Sequence, residues 1–290
     1  MRAFALVWVG QIVSLVGSGL TAFSLGVWIF LRSDSTTQYA LVIFCAAVPP
    51  LVVLPLAGPL IDRWDRKRLL IACDLAGAAA TAAVGFLAWS GTLSLIHACV
   101  IVAFTSSAAA FQFPAYSAVV TQIVPRGQLG RASGMTSLAQ ASSQIIAPVV
   151  AGALVVSIGL AGITALDFVS FLFSALMLSL AAIPRRPGGT TAPAGYWRDL
   201  PFGWSYIFSR SGLAALLLMF AVVNFFAELA SVLFTPLVLG IASPAALGTL
   251  LSLGGVGMIA GSAIMSVWGG PRRPALGAAL FAGASGVAVA

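Results

Sequence analysis

Few side chains in this sequence could do chemistry, and those few recur at helical spacing inside apolar runs. Gln11, Ser14, Ser18 and Thr21 follow one another at steps of three, four and three, so a helix puts them on one face. Thr105, Gln112 and Tyr116 share a face in the same way, as do Ser133, Ser137, Gln140 and Gln144, and Asn224, Glu228, Ser231 and Thr235. Polar stripes in lipid need a partner helix or a hydrated crevice, because hydrocarbon satisfies no hydrogen bond. Glu228 is the sharpest single residue. It falls near the middle of an apolar run, with no Lys or Arg inside any such run to neutralise it. An isolated buried carboxylate is costly, which makes Glu228 a candidate for binding and releasing a proton or for holding a cationic ligand. Asp74 and Asp167 read as shallower, gate-like or structural groups nearer the ends of their runs.

The elements that carry these stripes follow from composition. With 60% hydrophobic and 7% charged residues, the chain lies far from soluble usage. A hydrocarbon core about 30 Å thick needs roughly 20 apolar residues per helical span. Such windows are expected at 4–31, 39–61, 69–89, 95–119, 133–158, 163–183, 212–240 and 246–268, with a ninth opening at Ala275. The first run is too long for the core of a cleaved signal peptide. The fold class expected is therefore an all-α membrane protein. Barrel strands are unfavoured, since the runs do not alternate and are about twice the length that a strand requires.

Charge orients these spans. If the N-terminus is cytoplasmic, the inner segments hold Arg2, Arg63, Arg66, Lys67, Arg68, Arg126, Arg131, Arg185, Arg186, Arg198, Arg210, Arg272 and Arg273, leaving Arg32 alone outside. That asymmetry is what membrane insertion imposes, and it accounts for the net charge of +7 without nucleic acid as a partner. Attraction to anionic lipid of the inner leaflet goes with it. Residues 184–211 form the long polar stretch and read as a cytoplasmic linker, with 196–209 a short surface helix. It separates an N-terminal six-helix bundle, 1–183, from an incomplete C-terminal bundle, 212–290. The basic turn after the second span and the one at Arg272 and Arg273 lie six spans apart, as in a parallel repeat of two six-span halves.

Cys45, Cys73 and Cys99 are isolated, with no CxxC pair and one histidine, His97, in the whole chain. No metal site and no cofactor are expected, and the cysteines read as small core residues. His97 reads as a packed or interfacial residue. No Gly-x-x-x-x-Gly-Lys-Ser/Thr phosphate loop is present, and no paired carboxylates or Ser/His arrangement points to an enzyme.

The turn after the second span reads Gly58-Pro-Leu-Ile-Asp62-Arg63-Trp64-Asp65-Arg66-Lys67-Arg68. A glycine, three residues, Asp-Arg and then a basic cluster resembles the signature of the major facilitator superfamily, with Asp65 where a glycine is common. Phe113-Pro114-Ala115-Tyr116, the stretch from Ile123 to Ser133 and Asp167-Phe-Val-Ser-Phe171 resemble its drug:proton antiporter branch, which includes macrolide and siderophore exporters. Gln144 to Gly152, with Pro148 and Gly152, is similar to a helix-bending element of antiporters with two glycines replaced by alanine. The arginine that other drug antiporters carry in the fourth span is missing.

The resemblance implies a major facilitator-like bundle with about eight to nine of twelve transmembrane helices inside this chain, which would then be C-terminally incomplete. It implies that Gly58, Asp62, Arg63, Arg66 and Lys67 form a conformational gate, and that spans one, four and seven line the central cavity. The function expected is secondary active transport in the cell membrane, as proton-coupled efflux of a lipophilic neutral or cationic small molecule. Gln11, Gln112, Tyr116, Gln140, Gln144, Asn224 and Glu228 are the candidate proton or substrate residues, with Trp8 and Trp28 offering aromatic faces to a cation. The alternative is a non-transporting truncated membrane component or assembly partner.

Overall fold

In the computed structural model the described residues are 2–183 and 205–268. Within them the chain runs α1 (Arg2–Ser33), α2 (Thr36–Arg63), α3 (Arg66–Trp89), α4 (Leu95–Ile123), a single 3-10 turn at Arg126–Gln128, α5 (Leu129–Ser157), α6 (Gly159–Leu180), α7 (Ser211–Ile241) and α8 (Pro244–Trp268). Residues 205–208 form a further helical turn. Seven of the described helices are long and apolar enough to cross a membrane, and no strand occurs among the described residues. The protein is a multi-pass membrane protein. Most of the expected linker and the ninth span lie outside the described residues.

The helix ends are written locally. Asp65 is the N-cap of α3, its Oδ1 accepting from Arg68 N at 3.1 Å. That gives the aspartate in the motif's glycine position a structural reason, while α2 continues through Asp62 and Arg63. The side chains of Gly58, Asp62 and Arg63 lie outside the described residues. Lys67 Nζ donates to Ser179 O and Ala181 O, both at 2.8 Å, so this basic residue closes the C-terminus of α6. Ser94 and His97 form a capping box that opens α4, which gives the lone histidine its place at a helix terminus. Gly159, at φ +65°, supplies the left-handed residue that lets α5 turn into α6 without a linker.

Packing then makes a bundle with α6 wedged between α1 and α3, α2 against α4, and α5 against both α1 and α8. Phe4, Val7, Leu70, Val119, Ala132 and Leu178 form a core cluster toward the end that carries the basic turn. Leu25, Ile29, Val84, Ala98 and Leu160 form a second cluster toward the opposite end. Trp8 Nε1 donates to Met135 O at 3.0 Å, tying α1 to α5.

Pro148 and Gly152 sit where α5 meets α8. A Cβ on Gly152 would lie 2.7 Å from Pro244 O, and one on Gly248 would run into the carbonyl of Pro148. The helices therefore cross backbone to backbone, as small residues permit in lipid. Ser252 Oγ donates to Ile145 O across the same crossing, at 2.5 Å. In contrast, among the described residues α7 buries Thr235, Pro236, Val238 and Leu239, and the last two join Val27, Phe30, Tyr39 and Leu247 in a small cluster.

Candidate functional site

A cavity of about 480 Å³ lies inside the bundle, between α1 and α4, walled by α3, α5 and α6. Its lining is mostly apolar, built of alanine, aliphatic and aromatic side chains, with polar groups in discrete rows. All four members of the α1 stripe, Gln11, Ser14, Ser18 and Thr21, face it, and so do Thr105, Gln112 and Tyr116 of α4. Periodicity alone therefore located two of its walls. Gln140 of α5 reaches the lining, as does Trp8, and Tyr116 Oη pairs with Thr136 Oγ1 at 3.3 Å. No Lys, Arg or His lines the cavity among the described residues.

The polar centre is a cluster that the sequence ranks low. Asp74 of α3 is fully buried. Its Oδ1 accepts from Gln112 Nε2 at 2.8 Å, and its Oδ2 accepts from Ser174 Oγ at 2.7 Å and Gln11 Nε2 at 3.4 Å. Gln112 Nε2 also donates to Gln11 Oε1 at 3.1 Å, and Gln11 Nε2 to Ser174 Oγ at 2.9 Å. Each donor in this ring points toward the carboxylate, which can only accept when ionised. The amide orientations follow from that requirement. One buried group thus gathers α1, α3, α4 and α6.

Asp167 of α6 is 1% exposed and, unlike Asp74, itself lines the cavity. Its Oδ1 accepts from Ser170 Oγ at 3.1 Å and lies where a Cβ on Gly17 would stand, 2.7 Å away. Only glycine on α1 lets this carboxyl sit so close. Depth along a helix says how far a residue is from the bilayer surface, not which neighbours cover it. For that reason Asp74 and Asp167 look peripheral in sequence, although both are among the most buried polar residues described.

Other expected site residues lie elsewhere. Gln144 is exposed on α5, and Asn224 and Glu228 are exposed on α7, where Asn224 Nδ2 donates to its own helix at Phe220 O, 2.8 Å away. The structure does not bring these three into the cavity. The docked patch of α7 begins at Thr235, about 10 Å of helix rise beyond Glu228. Trp28 faces the Arg32 guanidinium at 5.0 Å rather than the cavity.

Macrolide efflux protein A of Streptococcus pyogenes is 28% identical over 217 residues, covering 74% of this chain and 54% of the relative. Multidrug efflux pump Tap of Mycobacterium bovis is 23% identical over 291 residues, covering 95% of this chain and 68% of the pump. The chain spans about half the length of the first of these, 54%. Among solved structures, a bacterial homologue of the human lysosomal transporter Spinster, in an inward-facing and unoccupied conformation, superposes with a TM-score of 0.61. It is 17% identical, over 92% of this chain and 62% of that one, so the likeness is one of fold. The family model described as Major Facilitator Superfamily matches residues 7–290, and the chain belongs to that superfamily.

Proposed function

We propose that this chain forms the cavity-bearing part of a secondary transporter that exports a lipophilic neutral or cationic small molecule in exchange for protons. The observation that carries this reading is the cavity itself: largely apolar walls, polar rows on α1 and α4, and no cationic side chain in its described lining. Such a lining suits an uncharged or positively charged guest and offers no clamp to phosphate or carboxylate. Trp8 and Tyr116 supply aromatic surface for a cation. The names of the relatives, macrolide efflux protein A and multidrug efflux pump Tap, support the same substrate class. The N-terminus is assigned to the cytoplasm on the distribution of basic residues, which puts the basic turn with Lys67 at the inner end.

In this reading residues 1–183 are the N-terminal bundle, 184–211 the linker and 212–290 the start of the second bundle. Gly58, Asp62, Arg63, Arg66 and Lys67 gate the inner end, and Gln11, Gln112, Tyr116 and Gln140 contact the guest. Gln144, Asn224 and Glu228 belong to faces that approach the path from α5 and α7, with Glu228 as a site for a proton or a cationic guest. The experiment is counterflow and pH-driven uptake of a labelled macrolide and a labelled lipophilic cation by proteoliposomes containing the protein. Accumulation that collapses with the pH gradient and is lost in Glu228→Gln supports the reading. Uptake indifferent to the gradient would remove proton coupling. No counterflow of either compound would remove export itself and favour the non-transporting alternative.

A further inference from the structure

We propose that a groove between α3 and α6 seats one acyl chain of a bilayer phospholipid, as a lipid site separate from the central cavity. The groove has a volume of about 360 Å³. Phe86 and Trp89 of α3 and Phe168 of α6 give it aromatic sides, while Ala82 and Ala165 leave the space between them open. Phe86 and Trp89 stand together on one face of α3, their ring centroids 6.4 Å apart. A Cβ on Gly85 would lie 2.7 Å from Thr164 Oγ1, so the helices close against each other at the bottom of the groove. Two hydroxyls line it, and both spend their hydrogens on their own helices: Thr81 Oγ1 donates to Gly77 O and Thr164 Oγ1 to Ala161 O, each at 3.0 Å. What remains for an occupant is apolar contact.

The place of the groove in the fold decides its occupant. Both helices are long and apolar enough to cross a membrane, and Phe86, Trp89, Leu166 and Val169 are exposed around the groove, so it is continuous with the surface that hydrocarbon covers. From Thr81 to Trp89 α3 rises about 12 Å, close to the roughly 15 Å that one leaflet contributes to a hydrocarbon core about 30 Å thick. A chain lying along the helices fits that length. Trp89 is the last residue of α3 and stands at the depth where indole rings meet headgroups, in the leaflet opposite the basic turn. No Lys, Arg, Asp or Glu lines the groove, and the turns beside it, 90–94 and 157–159, carry none. Recognition therefore falls on the chain and not on the headgroup. Thr81 lines the central cavity as well, so one side chain separates the seated lipid from that space.

Photolabelling tests this without measuring transport. The protein is reconstituted in phosphatidylcholine vesicles with a trace of phosphatidylcholine carrying a diazirine midway along one chain, irradiated, and mapped by peptide mass spectrometry. Label should collect on 82–89 and 161–168 several-fold above the exposed faces of α2 and α4. Ala165→Trp, which fills the groove from α6, should bring it down to that background. If this variant does not insert, Ala82→Phe fills the groove from α3 and decides in its place. A phosphatidylglycerol probe with the same chain should label the groove equally. Even labelling of every lipid-facing helix overturns the proposal, because it reports ordinary solvent lipid. Displacement of the label by a lipophilic cation overturns it in favour of a second guest site, and a strong bias toward the anionic probe overturns it in favour of headgroup binding. An unlabelled groove whose Phe86→Cys variant cross-links between two copies would make this face a dimer contact instead.

Discussion

Asp74 shows how a single group organises this protein at the scale of residues. A carboxylate buried without a cation needs donors, and Gln112, Ser174 and Gln11 provide them from three other helices. Gln112→Leu leaves Oδ1 without its donor, and the cost of an orphaned buried acceptor is about 1–3 kcal/mol, more where the acceptor is charged. A lowered melting temperature in detergent measures it. Asp74→Asn in that background should recover part of the loss, because an amide relieves the unmet charge. Equal melting temperatures for wild type and Gln112→Leu would show that the ring contributes nothing.

At the scale of elements, the α5–α8 crossing depends on glycine, since Gly152 and Gly248 let two backbones touch around Pro148. Gly248→Val must push the helices apart, because the new side chain meets carbonyl backbone rather than a movable side chain. A cysteine pair at Ile145 and Ser252, positions joined by the Ser252 to Ile145 hydrogen bond, reads the separation. Cross-linking should be efficient in the parent and fall sharply with Gly248→Val. The α6 terminus makes a second case. Lys67→Met strips two carbonyls of their donor, so amide exchange over Leu178–Ala181 should quicken while exchange at mid-helix in α6 stays slow.

For the whole molecule, alternation of helices across the bilayer puts the α3–α4 turn at Ser90 and the α4–α5 turn at Gln128 on opposite sides. With Cys45, Cys73 and Cys99 replaced, a cysteine at Ser90 should react with an impermeant maleimide added to intact cells. One at Gln128 should react only after permeabilisation. Labelling of both from outside would overturn the arrangement of spans, and the reversed pattern would invert the assigned orientation.

Length and hydropathy of each run were enough to place α1 to α8, because a span is a local property: roughly 20 apolar residues satisfy their own backbone in lipid whatever surrounds them. The stripes on α1 and α4 were legible for the same reason, since 3.6-residue periodicity decides which side chains share a face. Which face meets which neighbour is not local. Asp74 acquired its donors from residues 63, 38 and 100 positions away in the chain, and Gly17 on α1 is what allows Asp167 its buried berth. Glu228 is central by depth, and among the described residues the buried part of α7 begins at Thr235, with that carboxylate on an exposed face. Burial and partnership of ionisable groups were therefore decided by how the helices pack, because only close approach of separate segments can remove water from a side chain and supply what replaces it.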